Sequence, residues 1–257
     1  MSPVRFFAPA ILAAALCVSC NTADPHRAID PATAACVPDS ATILAGAHLD
    51  RIRASPLTHN LPSAAQSFFD SLRSASSVVV ASDGADFLFV SRGSFTSPPA
   101  GAVLIGKGLA VSGSPAWVER ARTHHSADSG PPIVELAEPI AAANEMWMVT
   151  QGSANLPVTG NGENLNRLLH ATQYTLWTVR LADRVDFAIQ AVCANAETAR
   201  RLEETTRAMF TFGAAAAAKQ PQLSGLLKKV QVRRDDRTVH VTAALDSAEF
   251  ARLLQGF

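Results

Sequence analysis

A catalytic or metal centre in this chain would have to be assembled from seven histidines, four cysteines, and its serines and carboxylates. Of the histidines (His26, His48, His59, His124, His125, His170 and His240), only His124-His125 with Asp128 cluster within one short segment. Adjacent side chains diverge on most backbones, and THHSADSG is loop-like with no third or fourth ligand at regular spacing, so it reads as a solvated loop. His48 alternates with Ala47 and Leu49 on a strand, the setting of a hydrogen-bonded face histidine. Ser112-Gly113-Ser114 lies at a strand-to-helix junction but lacks the G-x-S-x-G elbow that exposes a nucleophile, and a capping role accounts for Ser114. Gly160-Asn161-Gly162 follows no clear strand, and Leu165 occupies the place of the third glycine in a dinucleotide fingerprint. Asp183 with Asp186, and Asp235 with Asp236, fall in hairpin turns, where aspartate is favoured for turn chemistry and lacks the burial that acid catalysis needs. No catalytic, cofactor-binding or metal-ligating residue is assigned from the sequence.

The cysteines are Cys17, Cys20, Cys36 and Cys193, with no zinc-site spacing among them. Cys17 and Cys20 end an apolar run, Phe6–Val18, that follows the single positive charge of Arg5. This is the n-region, h-region and small-residue pattern of a secretory signal over residues 1–19. The run is 13 residues long, whereas a spanning helix needs about 20. Its end resembles the lipobox of bacterial lipoproteins: Val18 and Ser19 fit the positions before Cys20, although Cys17 stands where leucine is usual. The resemblance implies cleavage before Cys20, acylation of that cysteine, and membrane attachment through the lipid, with Asn21 rather than aspartate next in the mature chain. Cleavage at the same point by ordinary signal peptidase would give a plain secreted protein. In an oxidising compartment the two remaining thiols, Cys36 and Cys193, form a candidate disulfide, which on the chain-entropy model would contribute up to ~5 kcal/mol. The alternative is a buried free Cys193 and an exposed free Cys36. Residues 20–40, rich in proline, alanine and polar groups, read as a tether.

The elements that would position any site occur twice. In residues 131–257 a helix near Ile133–Ala143 leads into a strand at Met146–Val149 and a helix at Leu165–His170. A hairpin follows (Tyr174–Leu181, Val185–Val192), then a long helix capped by Asn195 with an apolar face of Ala199, Leu202, Met209 and Phe210. Strands Val230–Arg233 and Val239–Ala244 come next, and an Asp246/Glu249 capping box opens a final helix with Phe250, Leu253 and Leu254 on its buried face. Residues 41–130 repeat the order: strand Thr42–Leu49, a helical segment ending at Phe68, Phe69 and Leu72, and a hairpin (Val78–Ala81, Phe87–Val90) with Asp83-Gly84 at its turn. Strands Ala102–Ile105 and Leu109–Ser112 turn at Gly106-Lys107-Gly108, and Ser114-Pro115 opens a helix. Ser94–Pro99 is too short to match the long helix of the second half. The expected fold is α+β, two tandem β-α-β-β-(α)-β-β-α repeats with ferredoxin-like halves and antiparallel sheets.

VPDSATILAGAHLDRIRASPL, SSVVVASDGADFLFVSRGSF and GLAVSGSPAWVERAR, with the closing VQVRRDDRTVHVTAALDSAEFARLL, resemble a group of uncharacterised exported proteins of Acidobacteria. The resemblance covers most of residues 37–257 and implies export and fold, with no activity to transfer.

The 22 basic and 22 acidic residues balance, which leaves no electrostatic footprint for nucleic acid. Lys228-Lys229 with Arg233-Arg234 and Arg237 is the sharpest charge feature, read as a solvated edge strand guarded against pairing. The alanine-rich Gly213–Ala218 packs closely on a neighbouring helix or is exposed and inert, with docking of a partner as the functional reading. The leading functional reading is a lipid-anchored cell-envelope protein that binds a ligand or an envelope partner without catalysis. An envelope hydrolase with a dispersed site is the alternative.

Overall fold

The computed structural model describes residues 27–60, 69–70, 72–106, 108–124, 130–155 and 162–255. The signal segment with Cys20, the first part of the tether, Phe68, Lys107, His125, Asp128 and Gly160-Asn161 lie outside them, as do the side chains of Leu253 and Leu254.

Alternating apolar and polar residues build ten strands: β1 (Ile43–His48), β2 (Ala75–Ser82), β3 (Phe87–Gly93), β4 (Val103–Ile105), β5 (Leu109–Gly113), β6 (Met146–Gln151), β7 (Thr172–Leu181), β8 (Arg184–Cys193), β9 (Gln231–Asp235) and β10 (Thr238–Asp246). All pairings are antiparallel. They join in one sheet of order β4-β5-β3-β2-β1-β6-β7-β8-β10-β9. The helices are α1 (Pro31–Cys36), α2 (Leu49–Ala54), α3 (Pro115–His124), α4 (Pro132–Ala143), α5 (Gly162–His170), α6 (Ala196–Ala216), α7 (Pro221–Lys229) and α8 (Ser247–Gln255). The fold is α+β, as the hairpin-rich pattern predicts.

Outward from the central β1–β6 pair the order is 1-2-3-5-4 on one side and 6-7-8-10-9 on the other. A ferredoxin-like half would hold another strand between the two joined by its first helix. Here β1 pairs directly with β2, Leu44 opposite Ala81, and β6 directly with β7, Val149 opposite Leu176. The halves therefore depart from that strand order, and their sheets are continuous, because β1 and β6 pair with each other, Leu44 opposite Val149.

The sheet is buried on different faces in its two halves. Leu44, Val79, Ala81, Leu88, Val90, Val111 and Val149 share one face by register and pack with residues of α1, α3 and α4 in the largest core cluster. The opposite face of the second half carries Ala191, Val239 and Val241, which pack with Ala199 and Leu202 of α6. A third cluster joins Leu49 and Ile52 of α2 to Ala75.

Two expectations are corrected. The tether reading fails for its C-terminal part. Asp30 caps α1 by accepting from the Ala32 and Thr33 amides, Pro31 occupies its first turn, and Ala34, Ala35, Cys36 and Val37 are buried. The Asp-Pro pair is a helix-start signal, and the segment is core rather than linker. The Cys36–Cys193 disulfide is not formed: both are free and fully buried, Cys36 in the large cluster and Cys193 in the α6 cluster. The sequence also passed over α7. Pro221 at its first position and the spacing of Leu223, Leu226 and Leu227 are its signals.

Candidate functional site

The short helix α5 and the long helix α6 cross the second half of the sheet, and α7 folds back against the end of α6. Asn195 starts α6 by accepting the Thr198 amide at 2.9 Å. One turn after another then points Ala199, Leu202, Thr206, Met209 and Phe210 sheetward. Ala199 and Leu202 reach the sheet and are buried. Beyond them Thr206, Met209 and Phe210 line a gap above the sheet, while Gly213 lies against Leu227 of α7. Under α6 lies a cavity of about 410 Å3. Leu168, Trp177, Phe187, Ile189, Leu227 and Val241 are among its walls.

Of the three threonines in those walls, Thr172 and Thr175 are bonded within the wall. Thr172 donates to the Leu169 carbonyl at 2.7 Å, and Thr175 pairs with Thr150 while accepting from Trp177 Nε1 at 2.7 Å. Trp177 also meets Phe187 edge to face, ring centroids 6.3 Å apart. The cavity presents carbon, the surface that an apolar ligand prefers to water. Met209 is 47% exposed at its rim, and Phe212, one turn from Met209, is 73% exposed.

A second, open hollow of about 990 Å3 runs between α6, α7 and β9. Phe210 and Leu227 line both spaces. Arg207, Lys228 and Arg233 line the hollow but not the cavity. Arg207 is held by Glu203 at 2.8 Å and donates to the Val232 carbonyl at 2.7 Å. Arg233 donates to the Gln231 side chain at 3.2 Å. Lys229 pairs with Glu249, and Arg234 with Glu203 at 3.3 Å. No ion pair joins Lys228 or Arg233 to a carboxylate among the described residues. β9 is a sheet edge, so Arg233 and Arg234 of the basic run lie on an edge strand, whereas Lys228 and Lys229 end α7 and Arg237 lies in the β9–β10 turn.

The residues singled out for chemistry are scattered. His48 Nε2 donates to the Ala141 carbonyl at 2.9 Å, and burial pushes its pKa below the ordinary value. His124 contacts Thr123 and the Arg120 carbonyl at the exposed end of α3. Ser114 begins α3 through its carbonyl, but its hydroxyl accepts from the Phe87 amide at 3.2 Å, tying the helix start to β3. Asp83 accepts the Ala85 and Asp86 amides, and these bonds hold its carboxyl below the usual range. Asp186 pairs with Arg184 at 2.7 Å. Asp236 takes φ 47° in the β9–β10 turn. Burial pushes the Cys36 thiol up to about 11 and raises that of Cys193, which leaves both unreactive as nucleophiles. Among the described residues, no group of three or more His, Cys, Asp or Glu side chains could hold a metal ion. Nor is any described helix long and apolar enough to cross a membrane.

The sequence pointed to none of the cavity as a site. Its residues follow core periodicity, and whether an apolar stripe is filled or left hollow depends on the residue facing it across the gap.

The geometry defines an α+β protein with a ten-stranded antiparallel sheet and a helix-roofed apolar cavity. No family model and no curated protein matches the chain. Among solved structures it is similar to crystal form III of TP0453, at 8% identity and a TM-score of 0.50, over 89% of this chain and 99% of that one. Crystal form IV of the same protein aligns at 9% identity with a TM-score of 0.45, over 88% and 96%. At such identity the likeness is one of fold.

Proposed function

We propose that this is an exported cell-envelope protein, anchored through a lipid on Cys20, that acts as a non-catalytic binding module. Its ligand site is the cavity beneath α6. The observation that carries this reading is a space of about 410 Å3 walled mainly by apolar side chains, with Thr172 and Thr175 engaged within the wall. An engineered apolar cavity of about 150 Å3 already stays dry and takes up benzene. A space larger than that, open at the Met209 rim, suits a chain-like or aromatic apolar molecule.

Two measurements test the two parts. The intact mass of detergent-extracted protein from its host should begin at Cys20 and carry a diacylglycerol and an acyl chain. An unmodified mass would make the protein a secreted one and remove the anchor. For the cavity, the fluorescence of N-phenyl-1-naphthylamine should rise on binding. Thr206→Leu and Ala191→Leu, which fill the cavity from opposite sides, should weaken that binding at least about tenfold, or 1.4 kcal/mol. Equal binding by variants that still melt cooperatively would remove the cavity as the site. The hydrolase alternative would gain support only from turnover by the purified protein that one substitution abolishes.

A further inference from the structure

The cavity and the basic hollow share two walls, Phe210 of α6 and Leu227 of α7. On α6, Thr206, Met209 and Phe210 line the apolar side, while Arg207, Phe210, Thr211 and Ala214 line the hollow. These are adjacent stripes of one helix. On α7 the change comes between neighbours: Leu227 lines both spaces, and Lys228 the hollow but not the cavity. A carbon-lined space thus abuts a hollow bearing two cations, Lys228 and Arg233, that pair with no carboxylate among the described residues. Their neighbours Lys229 and Arg234 are each neutralised locally, by Glu249 and Glu203.

From this juxtaposition we infer that the ligand is an anionic amphiphile. Its apolar chain occupies the cavity under α6, and its carboxylate or phosphate head lies in the hollow against Lys228 and Arg233. A guanidinium and an ammonium suit such oxyanions through charge-assisted hydrogen bonds. The neutral walls of the cavity suit only the chain. This assignment rests on the reading of the cavity as a ligand site and adds the chemistry of the head.

The test uses the full mature chain carrying Cys20→Ser, which takes no acyl group and needs no detergent to compete for the cavity. Calorimetric titration compares dodecanoate, dodecyl phosphate and dodecanol, each below its micellar concentration. The anions should bind at least about tenfold more tightly than the alcohol, a gap that narrows as added salt screens exposed charge. Lys228→Gln with Arg233→Gln should close the gap while leaving dodecanol unchanged. Lys229→Gln, whose target pairs with Glu249, should leave the gap intact. Tighter binding of dodecanoate would identify a fatty-acid-like head, and tighter binding of dodecyl phosphate a phospholipid-like one; either supports the inference. Equal binding of all three, unmoved by the double substitution, overturns the head assignment and leaves the cavity standing. Binding of none overturns both.

Discussion

His48 ends β1 with its ring turned to α4, where Nε2 donates to the Ala141 carbonyl, while its own amide donates to the Glu145 carbonyl at 2.8 Å. Burial lowers its pKa foremost, and the nearby Arg51 guanidinium adds to that; the Ala141 bond and the Glu145 and Glu138 carboxylates oppose it. Unfolded, the ring titrates near its ordinary value of 6.5. Between the lowered native value and 6.5 the unfolded chain binds more protons, so stability rises with pH across that window. The contribution of a neutral His48 is whole above 6.5 and is lost as pH falls below it. Denaturant midpoints measured from pH 7.5 to 5 should decline in the wild type, with a slope from this group of at most about 1.4 kcal/mol per pH unit. His48→Gln, which keeps an N–H donor but does not titrate, should flatten that decline. Parallel profiles would show that His48 does not report acid in this way.

At the scale of elements, α1 shows how six residues become structural. The Asp30 carboxylate accepts from the Ala32 and Thr33 amides at 3.0 and 3.2 Å and pairs with Arg92 at 3.1 Å. Glu138 of α4 accepts from the Ala28 amide at 2.9 Å, fixing the entry to the helix. Asp30→Ala should cost about 1–2 kcal/mol as a lost cap. The partly exposed pair with Arg92 should add less than about 1 kcal/mol. Asp30→Asn keeps the cap and drops the charge, so chemical denaturation should place it between wild type and Asp30→Ala; equal losses for both would make the ion pair, not the cap, the anchor. The Asp-Pro signal was present in the sequence, but one and a half turns give too little periodicity to override a polar, alanine-rich composition. Longer elements were legible because their chemistry is local. Alternation set the strands of each hairpin, Asn195 opened α6, and Asp246 with Glu249 opened α8 through reciprocal bonds of 2.7 and 3.1 Å. The cavity was not legible, since Trp177, Ile189 and Val241 alternate like any core residues, and Leu202, Met209 and Phe210 of α6 across from them show the same apolar stripe whether the space between is filled or hollow.

The continuity of the whole molecule depends on a pairing that no local pattern encodes. β1 and β6 are about a hundred residues apart in sequence, yet they join the halves into one sheet, and Leu44, Trp147 and Val149 at that seam share a core cluster with α1, α3 and α4. At its centre Gly46 faces Trp147, and a Cβ on Gly46 would lie 2.2 Å from the ring's Cζ2 and 2.5 Å from Cε2. Trp147 is buried and packed on its other sides, so the ring has nowhere to withdraw. Glycine is therefore required at that point by the indole opposite. Gly46→Ala should cost about 1–3 kcal/mol by overpacking, somewhat more if the seam must open. Because the large cluster spans both halves, calorimetry should record one transition whose van 't Hoff and calorimetric enthalpies agree. The substitution should move that whole transition down, by about 2–4 °C for each kcal/mol in a chain of this size. Two resolved transitions, with only one displaced by Gly46→Ala, would mean that the halves unfold separately and that the seam aligns them without coupling them. A single displaced transition would mean that a ligand held under α6 in the second half stabilises the first half as well, through β6 and β1.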